Sequence, residues 1–312
     1  MLHISIVGLG AISQKAYLPY MRQLKEIHWH LFTRNRDVLV EVDQLFAKSS
    51  IYNSLSDLAQ VPLDGVFIHV ATLAHMETAK LFLEKGVPVY MDKPLTEDFF
   101  STLDLIKLAQ SKGTFLMTGF NRRFAPRVID LARLEAKRRV FVEKNDINRP
   151  GELRFKLFDF FIHPLDTALF ISDEPPLSGT FSYHLEEGLL SQVMVNLETK
   201  HSQITVAMNL QSGSRREIME VQTPFETQRL ENLEELVSYK GTQKESIGFN
   251  SWDTTLFKRG FESIIDAFLE GIKSGTNPVT DDSTLLSHWI CHQIARSKTN
   301  AGQLELELPS LV

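Results

Sequence analysis

The chain has 312 residues, 43% of them hydrophobic and 23% charged, a composition that suits a soluble globular protein of about two domains and excludes a mainly disordered chain. A net charge of −6 leaves no overall positive field to hold nucleic acid or an anionic membrane. The single cysteine, Cys291, excludes an intrachain disulfide and a thiolate metal cluster and fits a reducing compartment, so a cytoplasmic protein is expected.

In chain order, Leu2–Val7 predicts a buried strand; its apolar run to Ile12 is too short for a membrane span or a secretory signal. A Gly-rich turn and a helix from about Ile12 follow. Then come a strand at His28–Thr33, a helix ending near Lys48, and a strand at Gly65–Val70. A helix at about His75–Lys85, a strand at Val87–Met91, a helix at about Glu97–Lys112 and a strand at Thr114–Gly119 complete the first half. Strands separated by helical crossovers predict a doubly wound parallel sheet in an α/β Rossmann domain, residues 1–121. Beyond it, a charged helix is expected at Pro126–Arg139 and another around Phe158–Ile171. Alternating apolar and polar residues across Gly179–Tyr239 predict a large, mostly antiparallel sheet, and helical patterns return at Trp252–Lys273 and Asp281–Thr299. The second α/β domain is expected at 122–312.

Gly8-Leu9-Gly10-Ala11-Ile12-Ser13 stands where a strand turns into a helix. Gly8 allows the tight turn, Gly10 lets a pyrophosphate approach the backbone, and the first amides at Ala11 and Ile12 add donors at the positive helix end, so a dinucleotide is the expected ligand. The second strand ends Thr33-Arg34-Asn35-Arg36 with no carboxylate before Asp37. An acidic residue there would favour NAD; Thr33 and Arg34 can instead meet a 2′-phosphate, so NADP is the preferred cofactor and NAD the alternative, unless Arg34 is merely a solvated helix-start residue. Asp92-Lys93-Pro94 ends another strand at the same edge, where the Lys93 ammonium can stand beside a bound oxygen or simply be solvated. Thr72 and His75 divide between capping and cofactor contact, and Asn121 with Arg122 between holding cofactor or substrate and a junction ion pair. Asp159, His163 and Asp166 are spaced to share one helix face. His28, His30, His69 and His184 show no metal-ligand spacing, so no metal is expected.

With these residues in view, the chain resembles the glucose-fructose oxidoreductase / inositol dehydrogenase / rhizopine catabolism (Gfo/Idh/MocA) family. The match runs through Gly8-Leu9-Gly10, Thr72-Leu73-Ala74-His75, Asp92-Lys93-Pro94, Gly119 to Phe124, and Asp159 to Asp166, and looks most like the MviM-like subgroup. The resemblance implies a nicotinamide-dependent oxidoreductase acting on a hydroxyl-bearing carbon of a sugar, polyol or related metabolite, with Lys93, Asp159 and His163 catalytic. It also implies a homodimer or homotetramer formed through the open sheet. The alternative is a non-catalytic cofactor sensor, which would have no need of proton-transfer groups. Two departures stand out. Asp92 replaces the family's usual Glu, and Gly151–Phe158 runs directly into Asp159 without the usual glycine-rich stretch and covering loop, which implies a more open site.

Overall fold

The computed structural model describes residues 1–172 and 174–309 and divides into two compact units, Met1–Gly119 with Phe261–Asp281, and Phe120–Gly260 with the chain from Asp282 onward. The boundary lies at 119/120 instead of 121/122, and the segment 261–281 returns to the first unit. A linear reading misses this return because only packing assigns the helix Phe261–Ser274: its Phe268 stacks edge-on against Phe67 at 4.7 Å and against Tyr90 at 5.7 Å.

In the first unit β1 (Leu2–Val7), β2 (Ile27–Phe32), β3 (Ser49–Ile51), β4 (Gly65–Ile68), β5 (Val89–Asp92) and β6 (Leu116–Gly119) form a six-stranded sheet in the order β3-β2-β1-β4-β5-β6. All neighbours pair in parallel. Order reverses between β1 and β4, the switch point at which ligands of such sheets bind beyond the carboxyl ends of the strands. Ile4, Ile6, Val66, Phe67 and Ile68 are fully buried, as expected of strands covered on both faces. Strand β3 and the single turn Leu55–Leu58 are too short to leave a periodic signal.

The second unit holds a nine-stranded sheet of β7 (Arg139–Asn145), β8 (Ser178–Glu186), β9 (Leu189–Glu198), β10 (Gln203–Asn209), β11 (Glu217–Gln222), β12 (Thr227–Glu231), β13 (Glu235–Lys240), β14 (Gln243–Ile247) and β15 (Ala301–Gln303). Their order is β14-β13-β12-β11-β7-β10-β9-β8-β15. Pairing is antiparallel except between β7 and β10. The fold is therefore α/β, with a doubly wound parallel sheet followed by a mostly antiparallel one.

Several helices differ from their sequence expectation. The one expected over Pro126–Arg139 stops at Ala132, and its last expected residue, Arg139, opens the strand β7 at the heart of the sheet. Val140 and Val142 alternate inward and are fully buried, and β10 and β11 pair with the two edges of this strand. The helix expected over Trp252–Lys273 is broken into Thr255–Lys258 and Phe261–Ser274. Gly260 interrupts it at φ +78°, packed so closely on the backbone of Asn121, Phe124 and Ala125 that no side chain fits. The helical run Leu153–Ser172 contains a wide turn at Leu157–Phe161, in which the Ile162 N–H reaches back to the Leu157 carbonyl. Pro164 has no N–H to give the preceding turn, and the wide turn just before it takes up the mismatch. Among the described residues no helix is long and apolar enough to cross a membrane, and no group of three or more His, Cys, Asp or Glu is placed to hold a metal ion.

Candidate active site

At the carboxyl edge of the parallel sheet a cavity of about 310 Å³ brings together Gly8, Gly10, Thr33 and Arg34 with His69, Ala71, Ala74 and Thr78. Gly8 is fixed by the protein itself: at φ +96° a Cβ would stand 2.7 Å from the His69 carbonyl oxygen. Gly10 is different, since a Cβ there would meet nothing within 4 Å. The protein does not need that glycine for its own packing, and a backbone left bare toward a cavity suits the close approach of a pyrophosphate. Gly10→Ala should therefore leave unfolding free energy within about 0.5 kcal/mol while weakening dinucleotide binding at least tenfold. Chemical denaturation and a cofactor titration check the two halves, and unchanged affinity would count against a dinucleotide at this turn. His69 also fits a ligand here, because its buried Nε2 has no hydrogen-bond partner.

Arg34 is exposed, whereas Arg36 is engaged, donating to Asn53 Oδ1 at 2.7 Å. No carboxylate lines the cavity among the described residues. Ala11 and Ile12 open the first helix, exposed and outside the cavity lining; Thr72 begins a 3₁₀ turn capped by no side chain and is outside it as well. The cavity instead uses Ala71, Ala74 and Thr78 from that region.

At the end of β5, Asp92 accepts hydrogen bonds from Tyr17 Oη at 2.7 Å and His69 Nδ1 at 2.8 Å. Burial opposes its ionisation, but His69 and the Tyr17 hydroxyl outweigh burial and hold the carboxyl below its usual range. Asp92, half-buried, is thus engaged by two donors of the chain itself. The Lys93–Pro94 bond is cis. His75, expected at the cofactor, is buried beneath this turn, with Nδ1 2.9 Å from the Pro94 carbonyl and 3.2 Å from that of Leu95, and Nε2 3.1 Å from that of Val70. Burial lowers its pKa, and a neutral ring can donate from only one nitrogen. It is a clamp on the backbone that carries Lys93.

In the second unit Asp159 and His163 are half-buried on the helical run, while Asp166, expected on their face, is turned inward. Arg123 holds it there, bonding both carboxylate oxygens. Arg122, expected at the cofactor, forms a buried pair with Glu217 on β11 and donates from Nη1 to His163 Nδ1 at 2.8 Å. Burial would raise the Glu217 pKa, but Arg122 outweighs it, aided by Lys144 and Arg259, and the carboxyl falls to about 2. A guanidinium has only donors, so His163 Nδ1 is an acceptor in this contact and the neutral ring carries its proton on Nε2. Asn121, also expected at the cofactor, is buried and donates to the Arg259 carbonyl at 2.8 Å. Sequence reasoning missed Glu217, Tyr17 and His69 as members of these networks; Asp92, Arg122 and His163 lay in motifs, but the partners that engage them did not.

The chain matches two family models, the oxidoreductase family with an NAD-binding Rossmann fold over residues 2–120 and the YceM-like C-terminal domain over residues 130–241. It is 33% identical over 286 residues to the protein named YceM of Salmonella typhimurium, covering 89% of this chain and 92% of that one. A Gfo/Idh/MocA family oxidoreductase from Vibrio cholerae superimposes with a TM-score of 0.89 at 30% identity, over 95% of this chain and 97% of that structure. The dehydrogenase MviM from Clostridium difficile gives 0.87 at 27% identity, over 94% and 98%. With the glycine turn, the Lys93–Pro94 strand end and the Asp159–His163 helix in place, this similarity over nearly the whole length shows that the chain belongs to the Gfo/Idh/MocA family of NAD-binding oxidoreductases.

Proposed function

We propose that the protein transfers a hydride between a nicotinamide dinucleotide, NADP in preference to NAD, and a hydroxyl-bearing carbon of a sugar, polyol or related small metabolite. The observation that carries this reading is the hold of Arg122 on His163, which leaves a donor at Nε2 on the helix that also presents Asp159. The dinucleotide, when bound against Gly8, Gly10, Thr33 and Arg34, supplies or accepts the hydride. His163 Nε2–H donates to the substrate oxygen and stabilises its negative charge. Lys93, neutral, accepts the hydroxyl proton on oxidation and, as ammonium, returns it on reduction. Asp159 orients one of these groups. A cofactor sensor has no use for a tautomer imposed on His163 by a buried guanidinium.

Arg34 is the one permanently charged side chain lining the cavity among the described residues, which supports the preference for NADP. Titration of both dinucleotides should show NADP bound at least tenfold more tightly, about 1.4 kcal/mol, with the ratio collapsing in Arg34→Ala. Equal or tighter binding of NAD by the unmodified protein would overturn the preference. A panel of hydroxylated metabolites, followed by nicotinamide absorbance, tests the reaction; cofactor binding without turnover of any of them would favour the sensor.

A further inference from the structure

Lys156 occupies an unusual place for a lysine. It lies one turn before Asp159 in the same helical run, is only 7% exposed, and has its aliphatic chain packed against Gly151. Its ammonium stands 4.2 Å from the centre of the Phe160 ring and 5.9 Å from that of Phe155, and makes no hydrogen bond or ion pair with any described residue. Cation–π contact recovers only part of the cost of burying such a charge. The carboxylates Asp146 and Asp159 act on it electrostatically, but neither is hydrogen-bonded to it, which leaves its donors available to an anion from outside the chain.

The Phe160 ring that Lys156 contacts also lines a cavity of about 200 Å³, together with Lys144, Arg149, Arg215 and Asp146 but not Lys156 itself, room for roughly six waters at ~30 Å³ each. The Lys144 ammonium lies over the same Phe160 ring at 5.5 Å. Asp146 accepts from Arg215 Nε at 2.8 Å and lies 3.7 Å from Arg149, so it steadies two guanidinium groups that are themselves 65% and 59% exposed. Around Phe160, the cations Lys144, Arg149, Lys156 and Arg215 outnumber the carboxylates Asp146 and Asp159, leaving an excess of two positive charges. A phosphate monoester carries about −1.5 to −2 near pH 7 and offers three acceptor oxygens, which fits that excess and the paired donors of arginine. A lone carboxylate would neutralise only half of it. The cavity adjoins the candidate chemistry: Lys144 is the cross-strand partner of Glu217, which holds Arg122, and Arg122 holds His163.

We propose that this cavity binds the phosphate of a phosphorylated hydroxy metabolite, so that the substrate is a sugar or polyol phosphate. Only the step from ligand to substrate rests on reading Asp159 and His163 as catalytic; the phosphate site stands on its own residues. Isothermal titration of the full chain with inorganic phosphate, in a buffer free of other oxyanions, should show one saturable site. Arg215→Ala and Lys156→Met should each weaken it at least tenfold, with NADP affinity unchanged. Arg215 is exposed, so its replacement reads the site even where Lys156→Met unsettles the fold. No saturable binding, or an affinity unchanged in Arg215→Ala, overturns the proposal. Acetate bound as tightly as phosphate overturns the assignment to phosphate. Turnover of a polyol phosphate with kcat/KM at least tenfold above that of the free polyol supports the proposal in full. Phosphate binding lost in both variants, with no metabolite turned over, supports the site and counts against the catalytic reading instead.

Discussion

Lys93→Ala should lower kcat by about 10²- to 10⁴-fold, the span of general acid–base catalysis, with dinucleotide affinity nearly unchanged. His163→Ala should cost about 10²- to 10³-fold, the loss that follows removal of one donor to a developing oxyanion. The donor role proposed for His163 rests on the hydrogen bond from Arg122, because a neutral ring already accepting at Nδ1 carries its proton on Nε2 and donates there. A further variant separates the two roles: His163→Gln keeps an N–H donor and should recover part of the loss, whereas Lys93→Gln has no proton acceptor of comparable basicity and should not. Steady-state kinetics with cofactor titrations of the four variants decide the matter. Turnover within twofold of the parent in both alanine variants would contradict the assignment.

The largest effect on stability is expected at Arg123. Its Nε donates to Asp166 at 2.9 Å and its Nη1 to Ser283 at 2.9 Å, and its guanidinium lies 5.3 Å from the Phe120 ring and 5.7 Å from that of Phe170. Burial, the larger influence, pushes the Asp166 carboxyl up, and Arg123 pulls against it. Arg123→Ala leaves burial opposed only by the more distant charge of Arg122, with two carboxylate oxygens stripped of their donors, and should destabilise the second unit by about 3–5 kcal/mol in chemical denaturation. Replacing the whole pair, Arg123→Met with Asp166→Leu, should recover most of that loss, since a well-packed apolar pair avoids desolvating two charges. A loss below about 1 kcal/mol in the single variant would show that the pair contributes no more than an exposed one.

The parallel half of the fold was legible because its signals are local. A buried strand covered on both faces is a continuous apolar run, and the turn after β1 requires a positive φ at Gly8 that a glycine supplies. The same holds for the Lys93–Pro94 strand end and for the apolar helix carrying Asp159 and His163. What escaped was set by partners distant in sequence. The charged helix expected to reach Arg139 ends at Ala132, and Arg139–Asn145 takes its central place in the sheet because β10 and β11 lie on its two edges.

For the site the division is similar. Residue type and spacing identified Gly8, Gly10, Lys93, Asp159 and His163 as groups worth placing, because backbone freedom, charge and titration range belong to each residue wherever it sits. Whether a polar side chain serves a ligand or the interior depends on what stands opposite it. Asp92 is drawn to Tyr17 and His69, His75 to carbonyls beneath Pro94, and Arg122 to a glutamate 95 positions away. Burying a charge or a ring nitrogen is tolerable only where a partner has been brought to it, and bringing one across such a distance is the work of the folded chain.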